Sequence, residues 1–481
     1  MSEHFDVLVV GAGISGIGAG YHLQTECPTR SYAILEGRED LGGTWDLFRY
    51  PGIRSDSDMH TLGFSFRPWE EAEAIADGPA ILRYLKDTAR EHGIDRHIRF
   101  GHTVTKASWS SDEDRWTVDA VRHDTGEAVR LTCEFLFACC GYYDYEEGYT
   151  PDFPGIDRFA GRVVHPQQWT EDIEYAGERV VVIGSGATAV TLVPELAKEA
   201  AHVTMLQRTP TYIVSRPTED KIANALRDKL PPHTAYAVTR WKNVLLGQLL
   251  FTASRRAPRQ VRELIKKGVR QALGEGYDVE THFDPPYDPW DQRLCLAPDG
   301  DFFEAIRSGT VSVVTDHVET FTDNGVRLRS GRELEADLVV TATGLKVRFL
   351  GGIALEVDGR DVEPADTMSY KGAMFSDVPN LAVSFGYTNA SWTLKADLTA
   401  AFVCRVLNHM ERHGYHRVVP RRESDVAEEP FVDLSSGYIQ RALDILPKQG
   451  SRAPWRVHQN YLLDRLAFRL SKVDDGVLEL R

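Results

Sequence analysis

The sequence predicts an α/β protein with two Rossmann-like domains, the second inserted in the first, and a helical subdomain. A glycine-rich turn follows a β-branched apolar run twice, at residues 11–16 and 184–189. A strand, such a turn and a helix together form the phosphate-binding half of a Rossmann unit. Each copy is followed later by an apolar run that ends in glycine, at residues 134–141 and 336–344. The repeat predicts two dinucleotide-binding domains in one chain.

The length of the chain supports this division. With 481 residues it exceeds the size at which a single hydrophobic core keeps growing. We place the first part of the first domain at residues 1–145 and the second domain at residues 146–344, with a helical insertion at about 216–300. Residues 345–481 return to the first domain and form the C-terminal segment.

Composition and charge exclude several classes of protein. The net charge of −16 argues against nucleic-acid binding, which needs a basic face. The N-terminus lacks the basic region and cleavage site of a signal peptide, and no apolar run approaches the roughly 20 residues of a membrane-spanning helix. The six cysteines show neither C-x-x-C spacing nor a metal-ligand pattern, so we expect reduced thiols, a cytoplasmic location and no metal.

The first glycine turn has the residues of a dinucleotide site. Residues 5–10 predict a buried parallel strand. Gly11 allows a tight turn, Gly13 lets the backbone approach a pyrophosphate, and Gly16 lets the helix pack against the strand. Glu36 ends the next strand, twenty residues after Gly16, where a carboxylate accepts hydrogen bonds from a ribose diol. A turn without a ligand is the alternative.

The second turn predicts a phosphorylated cofactor. Its candidate contacts are Gly184, Ser185, Gly186, Ala187, Thr188, Ala189 and Val190. The next strand ends in Arg208 and Thr209 rather than in an acid. A carboxylate there would repel a 2′-phosphate, whereas the guanidinium of Arg208 binds it with a charge-assisted pair. We therefore expect NADPH rather than NADH; a surface arginine without a ligand is the alternative.

The segment between the two turns resembles a known family. Residues 159–169 follow the pattern F-x-G-x-x-x-H-x-x-x-W, which resembles the fingerprint of type I Baeyer–Villiger monooxygenases, enzymes that use FAD and NADPH. Related S- and N-oxidising flavin monooxygenases carry Tyr or Phe in place of Trp169, and Thr170 stands where the family usually has Pro or Asp. With the segments RYPGIRSDSDM, GSGATAV, YTNASWTLKADL and LPKQGSRAPWR, the chain resembles the ethionamide-activating subgroup of the flavin monooxygenases nearly end to end. The resemblance implies a glutathione-reductase-like arrangement, with the NADPH domain inserted in the FAD domain.

The same resemblance implies FAD in the first site. It places Ser15 at the pyrophosphate, Thr44, Trp45, Asp46 and Leu47 along the flavin, Asp56 near the isoalloxazine, the backbone of Val104 near the adenine, and Arg54 and Ser55 facing the nicotinamide cofactor. A solvated loop is the alternative for Arg54 and Asp56.

Arg293 matches the reactive arginine of this family. It follows Gln292, where the family usually carries Lys. We expect Arg293 to stabilise the anionic oxygen of a C4a-peroxyflavin and of its ketone adduct, and Asp56 to hold Arg293 in place. A salt-bridged structural arginine is the alternative.

The implied reaction converts a small-molecule ketone to an ester or lactone with NADPH and O₂, and the subgroup also suggests oxidation of sulfides or thiocarbonyls. The alternatives are an S- or N-oxygenating flavin monooxygenase and an FAD-binding protein without turnover.

The middle of the chain is locally basic. Residues 240–270 contain nine Lys or Arg and one acid, Glu263. They predict either a helical wall of the substrate cavity with a solvated basic face, or a surface in weak peripheral contact with anionic lipid. We also expect His165 at the hinge between the domains, and ordered loops at Trp392 and Trp455 beside the cofactors or the cavity.

Overall fold

The computed structural model describes residues 3–481. Its helices are α1 (Ile14–Glu26), α2 (Thr44–Leu47), α3 (Met59–Leu62), α4 (Gly78–Glu91), α5 (Ala187–Leu196), α6 (Lys221–Arg227), α7 (Pro232–Arg256), α8 (Pro258–Leu273), α9 (Val279–Phe283), α10 (Asp301–Arg307), α11 (Trp392–His413), α12 (Gly437–Gln440) and α13 (Tyr461–Leu470).

Its strands are β1 (Glu3–Val10), β2 (Tyr32–Leu35), β3 (Ile98–Arg99), β4 (His102–Ser110), β5 (Arg115–Arg122), β6 (Ala128–Ala138), β7 (Tyr143–Gly148), β8 (Arg162–Val164), β9 (Arg179–Ile183), β10 (His202–Gln207), β11 (Ile213–Arg216), β12 (Cys295–Pro298), β13 (Val311–Thr315), β14 (Val318–Thr322), β15 (Gly325–Leu328), β16 (Glu333–Glu335), β17 (Leu338–Thr341), β18 (Leu345–Val347), β19 (Ala354–Val357), β20 (Arg360–Val362), β21 (Ser369–Tyr370), β22 (Met374–Phe375), β23 (Leu381–Val383), β24 (Val418–Pro420), β25 (Glu428–Pro430), β26 (Lys448–Gly450) and β27 (Leu478–Leu480).

The first sheet is organised around β1. Its strand order is β20-β19-β4-β5-β6-β1-β2-β3, and β23 also pairs with β6. β1 runs parallel to both neighbours, with Val9 opposite Ile34 of β2 and Phe137 of β6. Val7 and Leu8 are fully buried and belong to different hydrophobic clusters, one on each face of the sheet. Burial on both faces explains why this strand is a continuous apolar run.

The second sheet has the order β13-β10-β9-β17-β8, and all its pairs are parallel. Its five strands lie between residues 162 and 341, whereas the first sheet takes strands from both sides of that range. The predicted α/β class and the insertion of one Rossmann-like domain in the other are therefore confirmed. The two apolar runs that end in glycine also hold equivalent positions in the two sheets. The first contains the end of β6, which lies beside β1, and the second contains β17, which lies beside β9. The exact domain bounds stay a prediction.

A helical subdomain leaves the second domain between β11 and β12. These two strands pair with each other where the chain enters and leaves the subdomain. Its longest helix, α7, reaches back to the first domain. The buried guanidinium of Arg240 donates to the carbonyl oxygens of His60 and Gly63 at 2.9 and 2.7 Å, and the Tyr236 hydroxyl donates to Phe64 at 3.0 Å. The subdomain is thus fastened to both Rossmann-like domains.

The basic segment is largely neutralised within the structure. Ion pairs are formed by Arg240, Lys242, Arg255, Arg262, Lys266 and Arg270. Within residues 3–481, Arg256, Arg259 and Lys267 have no such partner. Leu249 and Leu250 of α7 are exposed. None of the described helices combines the length and the apolar character needed to cross a membrane.

A buried ion pair connects the C-terminal helices α11 and α13. Lys395 donates to the carboxylate of Asp464 at 2.6 Å, and the hydroxyl of Tyr387 donates to the same carboxylate at 2.7 Å. Only 3% of the Lys395 side chain and 4% of the Asp464 side chain are exposed. Removing one partner of such a pair leaves an uncompensated buried charge.

We expect Asp464→Ala to destabilise the protein by about 3–5 kcal/mol, because the Lys395 ammonium would lose its counter-ion in the core. The double variant Lys395→Met/Asp464→Leu should recover most of that loss, since it removes both charges. Thermal or urea unfolding of the wild type and the variants measures the effect. Equal destabilisation by the single and the double variant would contradict the charge argument.

Candidate active site

A single large cavity lies between the two glycine turns. Its volume is about 2050 Å³, and residues of both Rossmann-like domains, of α7, α8 and α12 line it. The predicted site residues at its wall are Gly11, Gly13, Ser15, Glu36, Thr44, Trp45, Arg54, Ser55, Asp56, Val104, Gly184, Ser185, Gly186, Ala187, Thr188, Arg208, Thr209 and Arg293. The structure therefore brings together residues that lie up to 282 positions apart, from Gly11 to Arg293.

Five predicted contacts lie behind this wall. Gly16 packs against the first turn, and Ala189 and Val190 are fully buried in the core of the second domain. The carboxylate of Asp46 binds Arg38 at 2.6 Å and Arg49 at 2.7 Å. Leu47 packs against the hydrophobic core of the second domain. The side chains of Asp46 and Leu47 thus contact other protein groups and do not line the cavity.

The first turn requires glycine at two positions, because a side chain at either would clash with a backbone carbonyl oxygen. Gly11 has φ of +100°, and a Cβ there would lie 2.6 Å from the carbonyl oxygen of Cys139. A Cβ on Gly16 would lie 1.8 Å from the carbonyl oxygen of Gly11. α1 starts at Ile14 without a side-chain cap, so its first N–H groups remain available beside the cavity. An uncapped helix start behind a glycine turn fits a diphosphate.

Glu36 serves the same turn. Its carboxylate accepts hydrogen bonds from the backbone N–H groups of Ala12 at 2.6 Å and Arg38 at 2.9 Å. Burial raises the pKa of Glu36, and the two backbone hydrogen bonds oppose that rise. The indole of Trp392 donates to the hydroxyl of Ser15 at 2.8 Å. Trp392, the first residue of α11, therefore belongs to this turn and lines the cavity, as expected, although it lies in a helix.

The second turn repeats the geometry of the first. Gly184 has φ of +140°, and a Cβ there would lie 2.2 Å from the carbonyl oxygen of Ala342. α5 starts at Ala187, again without a side-chain cap. The hydroxyl of Ser185 donates to the carbonyl oxygen of Thr209 at 2.9 Å, which ties the turn to the end of β10. Arg208 is exposed and has no ion-pair partner in the described chain, so it is free to bind an anion.

Arg54 joins the two domains across the cavity. It pairs with Asp301 of α10 at 2.5 Å, while its second terminal nitrogen is buried without a hydrogen-bond partner. The hydroxyl of Ser55 donates to the carbonyl oxygen of Ser57. Both side chains lie at the cavity wall, as expected of residues that face a cofactor, and their contact with the nicotinamide stays a prediction.

Arg293 lines the cavity without an ion pair. Its Nε is buried and has no hydrogen-bond partner. Burial opposes its charge, but Tyr142, Tyr438, Tyr143 and Asp56 outweigh that effect and raise the pKa of Arg293. No acid of residues 3–481 lies within ion-pair distance of it, which argues against the salt-bridged structural role.

Asp56 does not hold Arg293 as predicted. The surrounding protein raises the pKa of Asp56, and the charges of Arg293 and Arg54 oppose that rise. The two side chains therefore interact electrostatically, yet they form no ion pair within 4 Å in the described chain. Asp56 is open to the cavity, so water reduces the effect of the surrounding protein on its pKa.

Three tyrosines that line the same cavity as Arg293 were not predicted from the sequence. Tyr142 and Tyr143 follow Gly141, which ends the apolar run that contains the end of β6, and their hydroxyls are 2.9 Å apart. Tyr438 in α12 joins them from the C-terminal segment. The position of the first two, immediately after a strand that ends in glycine, is a signal for a site residue; nothing in the sequence around Tyr438 indicates its place.

His165 lies between the two chain segments that connect the domains, one after β6 and one after β17. Its Nε2 is 3.0 Å from the carbonyl oxygen of Gly344, and its Nδ1 accepts from the backbone of Gln167. Burial lowers the pKa of His165. Gly148 passes so close that a Cβ there would lie 1.9 Å from the imidazole. This position agrees with a hinge residue rather than with an acid or base.

The expectation for Trp455 is wrong. Its side chain is fully buried against Tyr370 in the core of the first domain, and it does not line the cavity. The flanking turn, with Gly450 against its Cβ, folds it inward.

Comparison with known proteins gives the relatives of this chain. Residues 5–352 match the model of the family described as flavin-binding monooxygenase-like. The FAD-containing monooxygenase EthA of Mycobacterium tuberculosis is 58% identical over 477 residues, which cover 99% of this chain and 97% of that protein.

Two solved structures share the fold. Cyclohexanone monooxygenase from Rhodococcus sp. Phi1 bound to NADP⁺ has a TM-score of 0.71 at 23% identity, with 88% of each chain covered. An oxidised steroid monooxygenase bound to NADP has a TM-score of 0.74 at 23% identity, also with 88% of each chain covered.

We expect Gly16→Ala to abolish flavin binding by the purified protein, because its Cβ would meet the Gly11 carbonyl oxygen at 1.8 Å and push α1 away from the turn. Absorbance near 450 nm relative to protein concentration measures the bound flavin. Thr25→Ala, at the exposed end of the same helix, should retain it. Wild-type flavin content in Gly16→Ala would contradict the packing argument.

Proposed function

The chain belongs to the flavin-binding monooxygenase-like family, and from this premise we propose that it is a Baeyer–Villiger monooxygenase. It uses FAD, NADPH and O₂ to convert small-molecule ketones to esters or lactones. The observation that carries the ketone chemistry is Arg293, a guanidinium without an ion pair inside the cavity that both glycine turns share.

The first site fits FAD through its backbone. Gly11, Gly13 and Ser15 would hold the diphosphate at the uncapped start of α1, and Glu36 would accept from the ribose. Thr44 and Trp45 would lie along the flavin, with Val104 beside the adenine. When bound, FAD accepts hydride from NADPH and activates O₂; the protein supplies orientation and charge.

The second site fits NADPH. The uncapped start of α5, with Gly184 and Gly186 before it, would hold the diphosphate. Arg208 and Thr209 at the end of β10 would hold the 2′-phosphate, because the guanidinium is exposed at the cavity wall and has no competing acid in the described chain. Arg54 and Ser55 would face the nicotinamide.

Arg293 would hold negative charge on the reacting oxygen atoms. A fixed positive charge in an enclosed site stabilises developing negative charge more strongly than it would in water. Because the pKa of Arg293 is raised, the guanidinium remains protonated throughout the physiological range. Asp56 would act on it through charge across the cavity rather than by direct contact.

The cavity wall fits an apolar substrate. Leu246, Leu250 and Leu264 of α7 and α8 line it on the side of the helical subdomain. This supports the wall interpretation of the basic segment. The exposed Leu249 and the three basic residues without an ion pair are what remain in favour of weak peripheral lipid contact, since the other six of the nine are ion-paired. Six free cysteines agree with a cytoplasmic location.

We retain oxidation of sulfides or thiocarbonyls as a second candidate activity, because the sequence resembles the ethionamide-activating subgroup nearly end to end. Product analysis with a ketone and with a thioether separates the two activities.

Arg293→Ala should leave flavin content and NADPH-driven flavin reduction within about twofold of the wild type and lower ester formation by roughly 10²–10³, the loss typical of a removed charge-stabilising group. Stopped-flow absorbance and mass analysis of products separate the two quantities. Arg293→Lys keeps the charge and should retain part of the ester formation. Unchanged ester formation in Arg293→Ala would refute the role.

Arg208→Ala should raise the KM for NADPH by at least about tenfold, because it removes a charge-assisted contact to the 2′-phosphate. The KM for NADH, which lacks that phosphate, should stay within about twofold. Initial rates with each cofactor provide the comparison. Arg256→Ala, an exposed arginine that does not line the cavity, is the control. Similar losses with both cofactors would rule out the assignment.

A further inference from the structure

Three phenol groups stand beside Arg293 and have no part in the function described so far. Tyr142 and Tyr143 start the first connection between the domains, and Tyr438 lies in α12. All three line the cavity. Arg293 lines the same cavity, and the three rings cluster at its wall, with that of Tyr142 4.3 Å from the ring of Tyr143 and 6.5 Å from the ring of Tyr438.

Tyr142 is held rigidly. Its ring stacks on Trp392 at a centroid distance of 5.5 Å and an interplanar angle of 17°, and it packs against Phe385 at 5.2 Å. Only 6% of Tyr142 is exposed. Tyr143 and Tyr438 are more accessible from the cavity, and the ring of Tyr438 is nearly parallel to that of Tyr142, at 6.5 Å and 22°. Tyr142 therefore supports the other two rings, and Tyr143 and Tyr438 are the ones that a ligand in the cavity can reach.

The three hydroxyl groups have more protons than there are hydrogen bonds among them. Tyr142 and Tyr143 form one hydrogen bond, at 2.9 Å, which uses one of their two protons. A further contact between the hydroxyls of Tyr438 and Tyr142 would use a second proton and leave the third. No carbonyl or carboxylate of residues 3–481 accepts from any of the three. At least one donor is thus available to a group in the cavity.

The three phenols are neutral donors under all physiological conditions. Burial raises the pKa of Tyr142, Tyr143 and Tyr438, although the positive charge of Arg293 opposes that rise. A neutral hydroxyl beside a guanidinium donates to a carbonyl oxygen without adding a second charge.

We propose that the hydroxyl groups of Tyr143 and Tyr438 recognise the carbonyl oxygen of the substrate beside Arg293, with Tyr142 as the positioning residue that orients them. The inference rests on the proposed function, since it names the group by which that cavity selects a ketone. A site built to donate hydrogen bonds to an oxygen discriminates strongly against a ligand that lacks it.

The test measures binding to the full-length FAD-loaded protein without NADPH, so that no ketone is consumed. Acetophenone and ethylbenzene serve as probes, because they have nearly the same shape and only the first has a carbonyl oxygen. Tyr143→Phe and Tyr438→Phe should each raise the Kd for acetophenone about tenfold, as expected for one lost hydrogen bond in an enclosed site. The Kd for ethylbenzene should stay within about twofold.

Isothermal titration or equilibrium dialysis gives both constants, and flavin absorbance shows that each variant is folded and loaded. Tyr142→Phe should weaken acetophenone binding less than either neighbour does. Tyr21→Phe, whose ring stacks on Phe66 outside the cavity, is the control and should change neither constant.

The outcomes separate the two proposals. Equal weakening for both probes, unchanged binding of acetophenone by the variants, or no binding by the wild type would each overturn the recognition role. Selective weakening supports it, even if the wild type with NADPH forms no ester; that second result would overturn the proposed function alone.

Discussion

The close contact between each glycine turn and the neighbouring strand is the constraint on which the whole site depends. Gly11 lies against the Cys139 carbonyl of the strand beside β1, and Gly184 lies against the Ala342 carbonyl of the strand beside β9. A side chain at either glycine would push the turn outward. Because both contacts hold, two helices begin without caps at the edges of two sheets, and their N–H groups face one cavity.

The same two strand ends are the points where the chain crosses between domains. β6 leads through Tyr142 and Tyr143 into the second domain, and β17 leads through Gly344 back to the first. β7 and β18 on these connections pair with each other, and His165 contacts Gly344 beside them. The connections therefore form a wall of the cavity as well as a link. This explains why residues just after the two apolar runs, such as Tyr142 and Leu345, line the cavity that Arg293 also lines.

Local sequence patterns predicted the fold and the two turns, because strand, glycine turn and helix lie next to each other in the chain. The positions of Glu36 and Arg208 followed from the same local rule. Contacts between distant segments could not be predicted in this way. Trp455 is buried against Tyr370, which lies 85 positions earlier in the chain, and Asp56 and Arg293, 237 positions apart, share a cavity without forming an ion pair. Tyr438 reaches the site through a four-residue helix whose sequence carries no periodic signal.

Arg240 and Arg293 show how the structure separates a supporting arginine from one that faces the cavity. Arg240 lies in the core, and its guanidinium donates to several backbone carbonyl oxygens around α3. That geometry satisfies the group, and it leaves little capacity for a ligand. Arg293 has no hydrogen bond to the described chain, and its Nε is buried. A guanidinium without partners costs several kcal/mol in a sealed core, so the fold tolerates it only because it faces a cavity that admits water or an anion. Its positive charge is therefore available to negative charge that develops on a ligand in the cavity, and the neutral phenols at the same wall can orient that ligand without neutralising the arginine.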